Sequence, residues 1–216
     1  MKKILSLSAA ALLIAGVAFG QEKKAGAFEG SISFMQYNGI DTTYFSYDVK
    51  TTHVRIVNTD IKTNNDEGIY LIDLTTKTTL ALSPVRKIYK DQPSPAAVKP
   101  SGTPKVTKTT NTKTINGYKC TEYDVVDAEE GIKVTYWIAT GNFEFFLPMM
   151  NILNRKDKFS QYYMAITGSA NMFPMEAYET DMSGVSKGFI KATKVSAGKV
   201  ASGTFEIPEG YHKFEK

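Results

Sequence analysis

Residues Phe28–Gly39 read FEGSISFMQYNG. Phe28, Ile32 and Phe34 fall on one side of an extended chain, and Glu29, Ser31 and Ser33 on the other. Side chains alternate across a strand with period two, so this run predicts a half-buried β-strand. Asn38-Gly39 follows, and both residue types tolerate the positive φ of a type I′ hairpin turn. TTYFSYDV at Thr42–Val49 is then the returning strand. The pattern recurs in HVRIVN (His53–Asn58), GIYLIDL (Gly68–Leu74), TTLALS (Thr78–Ser83) and RKIYK (Arg86–Lys90), some of them separated by turns such as Asp66-Glu67-Gly68 and Thr76-Lys77-Thr78.

Further on come KTTNTKTI (Lys108–Ile115), an Asn116-Gly117 turn, YKCTEYDVV (Tyr118–Val126) and GIKVTYWIAT (Gly131–Thr140). In the last, Ile132, Val134, Tyr136 and Ile138 share a face, with Lys133, Thr135 and the sole tryptophan, Trp137, opposite. FPMEAYET and KGFIKATKV form a late hairpin around Ser183-Gly184, and Phe205 and Ile207 alternate in the tail as a last strand. Short strands joined by tight turns predict an antiparallel meander, because such neighbours need no crossover.

Two segments break the strand pattern. Asp91–Lys105, DQPSPAAVKPSGTPK, carries four of the eight prolines. Proline removes ladder donors and favours extended, solvated backbone, which predicts an exposed loop between two halves of the sheet. From Arg86 to Thr114 there are seven Lys/Arg and one acid. The expectation is a charge-solubilised loop; the alternative is contact with acidic lipid headgroups or glycans.

The second segment, Phe143–Met182, holds six of the eight methionines among many aromatic residues. Phe146, Met149, Met150 and Leu153 stand at i, i+3, i+4, i+7, and so do Phe159, Tyr162, Tyr163 and Ile166. Two short amphipathic helices separated near NRKDK are predicted, laying apolar stripes on the sheet. Pro148 suits the first turn of the earlier one. Such a cluster has two uses. It fills the space between helix and sheet, or it moulds to a greasy ligand, because methionine is unbranched and polarizable.

The chain opens MKKILSLSAAALLIAGVAFGQEKK. Lys2 and Lys3 precede an apolar run, Leu5–Val17, and Ala18-Phe19-Gly20 puts small residues where a signal peptidase reads. These are the three parts of a secretory signal, at residues 1–20, and the run is shorter than the ~20 residues that span a bilayer. The expected domain organisation is one β-rich domain at residues 21–216, periplasmic or extracellular. No cysteine stands at the end of the run, where the mature N-terminus would be lipidated, so the protein is not expected to be a lipoprotein. The net charge of +4 falls to +2 once Lys2 and Lys3 are removed, which offers nucleic acid no concentrated basic face. The single cysteine, Cys120, cannot staple the fold; burial as a small hydrophobe is expected rather than reactivity.

The early FEGSISF strand, HVRIV, GIYLIDLTTKTTLALSP, RKIYK, TKTINGYKCTEYDV, VTYWIAT and FPMEAYE together resemble a family of secreted Bacteroidetes proteins of unknown function. Its most specific piece is the Ile-x-Gly-Tyr-Lys-Cys run at Ile115–Cys120. The family looks like a distant relative of the periplasmic lipoprotein carriers. That resemblance implies a mainly β (α+β) fold: a single strongly curved antiparallel sheet, a half-open barrel, with short helices packed in or over the concave face. The carriers hold acyl chains in that concavity; their N-terminal helix is missing or replaced in this chain.

No Gly-x-Ser-x-Gly elbow, phosphate loop or Cys/His metal spacing occurs. Glu129-Glu130 reads as a solvated turn, and Asp73 as a strand-end acid. An enzyme is not expected, nor a cofactor or metal. The leading expectation is a binding protein for a lipid or other hydrophobic small molecule, lined by Phe146, Met149, Met150, Leu153, Tyr162, Tyr163 and Met164. The alternative is a structural or partner-binding module with a dry core.

Overall fold

The period-two alternation runs through one continuous sheet in the structure, a computed structural model that describes residues 26–60, 62–97, 99 and 102–215. The signal segment expected at residues 1–20 lies outside the described residues. The strands are β1 (Gly30–Tyr37), β2 (Thr42–Lys50), β3 (His53–Asp60), β4 (Asn65–Asp73), β5 (Thr78–Ser83), β6 (Ile88–Asp91), β7 (Lys105–Ile115), β8 (Tyr118–Asp127), β9 (Ile132–Thr140), β10 (Met172–Asp181), β11 (Ser186–Ala197) and β12 (His212–Lys213). Two helices, α1 (Phe146–Leu153) and α2 (Lys158–Tyr163), lie between β9 and β10.

The 12-stranded sheet has the order β12-β6-β5-β4-β3-β2-β1-β11-β10-β9-β8-β7 and is antiparallel except for the β12–β6 pair. It is open and curved, a half-open barrel. The chain walks from β1 outward to β6, crosses to the far edge at β7, and walks back until β11 pairs with β1.

That seam joins the two halves, and a glycine sits at each end of it. A Cβ on Gly30 would lie 2.2 Å from the Ser196 carbonyl oxygen, and one on Gly188 2.5 Å from that of Tyr37. Only glycine permits so close an approach of two backbones.

Ile32 and Phe34 of β1, Tyr47 and Val49 of β2, Val54 and Ile56 of β3, and Val134 and Tyr136 of β9 are all buried in one main core. Phe28, Phe143, Phe145, Phe146 and Phe173 gather at one end of it, with Phe143 and Phe173 stacked at 5.1 Å between ring centroids and Phe146 edge-on to Phe173 at 4.8 Å. Aromatic pairs prefer these offset and edge-to-face arrangements. A second, smaller core lies on the opposite face of the β3–β6 end, where Val57, Ile69, Leu71 and Leu82 are buried with Tyr89 and Tyr211 beside them.

The tail corrects one expectation. Phe205 and Ile207 belong to no strand: Ser202–Phe205 is a 3-10 turn, and Phe205 packs on His53 with centroids 5.8 Å apart. Pro208 cannot donate to a ladder, and the chain regains the sheet only at β12, where the Phe214 N–H donates to the Tyr89 carbonyl at 2.7 Å.

The two Asn-Gly turns differ from each other. Asn116 (φ 51°) and Gly117 (φ 82°) both take positive φ between the paired residues Ile115 and Tyr118, as a two-residue type I′ hairpin requires. At Asn38-Gly39 the hairpin forms, but through a four-residue loop rather than a type I′ turn. There the Asn38 side-chain oxygen accepts from the N–H groups of Ile40 (3.0 Å) and Asp41 (2.8 Å), and only Gly39 has positive φ. An asparagine side chain that satisfies its own loop removes the need for the tighter turn.

The described residues of the proline-rich connector are mostly exposed, yet they are tied to the rest of the fold. It links strands on opposite sides of the opening. Its Pro95 carbonyl accepts from Asn154 Nδ2 at 2.9 Å, and a Cβ on Gly102 would meet Asp127 Oδ1 at 2.4 Å. It therefore runs as a strap across the end of α1.

Candidate functional site: the concavity and its helical cover

The concave side of the sheet is covered by α1 and α2. α1 begins without a side-chain cap, buries Phe146, Met149, Met150 and Ile152, and ends at Asn154 in a left-handed conformation with φ 42°. α2 is capped by Asp157, whose carboxylate accepts from the Ser160 N–H and hydroxyl, both at 2.9 Å. An aspartate immediately before an apolar-periodic run is a helix-start signal that the sequence did carry.

Of the seven sequence-predicted ligand residues, Phe146, Met150 and Tyr163 meet around one internal void, with Phe34, Tyr47 and Tyr136 of the sheet opposite. The void measures only about 40 Å³. Met149 and Tyr162 are fully buried. Leu153 is half-buried and lines a different cleft, of about 390 Å³. Met164 terminates α2, is 40% exposed, and does not line the void.

Three tyrosine hydroxyls tie this cover down. Tyr136, on β9, donates to the Phe159 carbonyl of α2 at 2.8 Å, and Tyr163 donates to the Met172 carbonyl at 2.9 Å. Tyr162 donates to Glu130 Oε2 at 2.6 Å, and Lys158 pairs with the same carboxylate. Burial raises the pKa of all three hydroxyls, and for Tyr162 the bond to Glu130 adds to the rise. They remain neutral donors. Glu130 is thereby corrected from a solvated turn to a helix anchor. Among the described residues, no backbone–backbone hydrogen bond joins α1 or α2 to a strand.

Cys120 is fully buried, and desolvation pushes its pKa to about 11. By alternation it stands on the face opposite Tyr123 and Val125. The β7–β8 tip shields it. β10 pairs with β11 only from Glu176↔Lys191 onward, and the Ala192 carbonyl just beyond accepts from Asn116 Nδ2 at 2.7 Å. Lys113 bonds Glu176 at 2.5 Å and lies over the Trp137 ring at 4.3 Å. Trp137 is half-buried on that face and packs against the main core.

Asp73 closes the turn after β4, accepting from the Thr75 N–H at 2.8 Å. Arg155, in the NRKDK linker, was indistinguishable by sequence from a solvated cation. It is half-buried and makes no ion pair among the described residues. No group of three or more His, Cys, Asp or Glu among the described residues is placed to hold a metal ion, and no helix there is long and apolar enough to cross a membrane.

The fold is shared with an uncharacterized conserved protein from Thermus thermophilus, at a TM-score of 0.50 and 6% identity, over 87% of this chain and 91% of that one. Two weaker likenesses are to a domain assigned as an outer membrane lipoprotein-sorting protein from Vibrio parahaemolyticus and to a DUF1329 family protein from Desulfovibrio piger. The first has a TM-score of 0.33 and 7% identity over 82% of this chain and 88% of that one. The second has a TM-score of 0.35 and 10% identity over the same shares. At 6% identity the first likeness is one of fold, and the two lower scores carry no argument. No curated protein matches in sequence. A family profile described as a domain of unknown function, DUF4412, matches residues 35–211, so the chain belongs to the DUF4412 family.

Proposed function

We propose that the protein is a secreted, non-catalytic binding module that takes a hydrophobic ligand, a lipid or acyl chain, into the concavity when the α1–α2 cover lifts. One observation carries this reading. An aromatic- and methionine-rich concavity is closed by two helices of 8 and 6 residues with no backbone–backbone bond to the sheet among the described residues. Helices this short are not stable on their own, so the cover holds only through side-chain packing and its tyrosine anchors. Phe146, Met149, Met150, Leu153, Tyr162, Tyr163 and Met164 would re-pack on the guest, and methionine suits guests of variable shape. Burial of apolar ligand surface at ~25 cal/mol per Å² would supply the affinity.

The 40 Å³ void favours a second reading, a dry core with a functional exterior, because ligand cavities run to about 300–1,000 Å³. The two readings separate under native-state hydrogen exchange with a long-chain fluorescent fatty acid. The binding reading expects residues 146–163 to lose protection when the fatty acid binds, while β1–β3 keep theirs. It also expects native mass spectrometry to find a co-purifying lipid. A cover protected to the level of global unfolding, with no fatty acid bound, supports the dry core and overturns the proposal.

A further inference from the structure

The cleft of about 390 Å³ beside α1 is open with both helices in place. It lies between the end of α1, the inner side of β3–β5 and the Pro93–Pro95 part of the strap. Ile152, Leu153 and Tyr70 supply apolar wall, and Asn58, Gln92 and Ser94 supply neutral hydrogen-bonding groups. Arg155 is the one charged side chain among its described lining residues.

Two features mark it as built for a ligand. The first is half-buried Arg155, whose guanidinium makes neither an ion pair nor a hydrogen bond among the described residues. Its neighbour Asp157 is occupied in capping α2. The second is Thr79, only 6% exposed, whose Oγ1 is buried without a hydrogen-bond partner. A buried unpaired hydroxyl is destabilising, and native folds rarely keep one without a use.

We propose that this cleft binds a small carboxylate amphiphile, with the carboxylate on Arg155, the buried Thr79 hydroxyl turning into the cleft to meet it, and the short apolar body against Ile152 and Leu153. One guanidinium matches one carboxylate in charge and in bidentate geometry. The volume falls in the range of small-molecule sites. Arg155 also borders the void under the helices and a separate opening of about 520 Å³ lined by Asp41, Asp60, Glu67 and Lys62. The three carboxylates outweigh the one lysine there and leave the Thr79 side as the place for the ligand's charge. Binding here requires no displacement of the helices.

The test is an amide-resolved NMR titration of the purified protein with octanoate, octanol and inorganic phosphate. Octanoate is expected to shift Thr79, Gln92 and Leu153, to bind more tightly than octanol, and to outcompete phosphate. Arg155→Met should weaken octanoate binding about 10- to 100-fold, the range for a charge-assisted hydrogen bond, while Arg155→Lys should retain part of it. Thr79→Val should weaken binding severalfold yet keep or raise the melting temperature, since it removes an unpaired hydroxyl. Equal binding of octanol, equal binding of phosphate, or an unchanged affinity in Arg155→Met would each overturn the assignment.

Discussion

Tyr136→Phe separates a lifting cover from a fixed one. The change deletes one oxygen from a fully buried residue and leaves the ring that packs beside Tyr163, 6.0 Å away between centroids. What disappears is the 2.8 Å bond to the Phe159 carbonyl, so that a buried acceptor in α2 loses its partner. Leaving such a group unsatisfied costs about 1–3 kcal/mol. With the cover lifted, both groups meet water in either protein, so the penalty falls on the closed state alone. If the ligand binds only the lifted state, its apparent dissociation constant is the intrinsic one divided by the lifted fraction. A loss of about 1–2 kcal/mol should therefore tighten fatty-acid binding by about 5- to 30-fold. The same loss should lower the urea midpoint. The assay pairs urea denaturation with titration of a fluorescent long-chain fatty acid. A lowered midpoint with unchanged affinity would refute the reasoning, because the bond would then stabilise the whole fold and not the cover's closed position.

Three further outcomes follow from the packing. Cys120 should resist alkylation at pH 8 until the protein unfolds. Its folded pKa of about 11 lies above the ordinary thiol value of 9.0, so its contribution to stability is full below pH 9 and is lost as pH rises toward 11. Comparing denaturation of the wild type and Cys120→Ala across that window should reveal the difference, and identical slopes would contradict it. Asn116→Ala should cost about 1–2 kcal/mol, through the lost bond to Ala192 and the positive φ of 51°. Asn116→Gly keeps the φ and loses only the bond, so it should fall between, as measured by chemical denaturation. Gly30→Ala should break the β1–β11 seam, because its Cβ would sit 2.2 Å from the Ser196 oxygen. Loss of amide protection in β1 and β11 ahead of β3 and β4 is the expected signature.

The strands were legible because alternation is local. Ile132, Val134, Tyr136 and Ile138 announce β9 from a single short run, and the same holds for β1 to β5. The two helices were legible from their stripes, with Ile152 buried where the strict spacing put Leu153. Curvature was not local; it entered only through resemblance. What escaped the sequence depends on partners far along the chain. Glu130 looks solvated until Tyr162, thirty-two residues later, reaches its carboxylate. Arg155 and the lysines beside it carry the same charge, and only the tertiary fold leaves the arginine unpaired within a cleft. Thr79 looks like any β-strand threonine, since the missing partner of its hydroxyl is a property of space. The tail failed for another reason: Phe205 and Ile207 show a two-residue period too short to outweigh Pro208.

The central seam shapes how the molecule must be made. β1 finds its second neighbour only when residues 189–197 arrive, about 160 residues later. Until then the first six strands form a half-sheet with a raw inner edge at Gly30–Tyr37, the kind of edge that recruits foreign strands. A pairing this distant in sequence forms slowly, because the loop between its strands must close first. A chain stopped before Ser186 keeps that edge permanently bare and should aggregate more readily than the full-length protein. The last strands to emerge are the ones that render the first harmless.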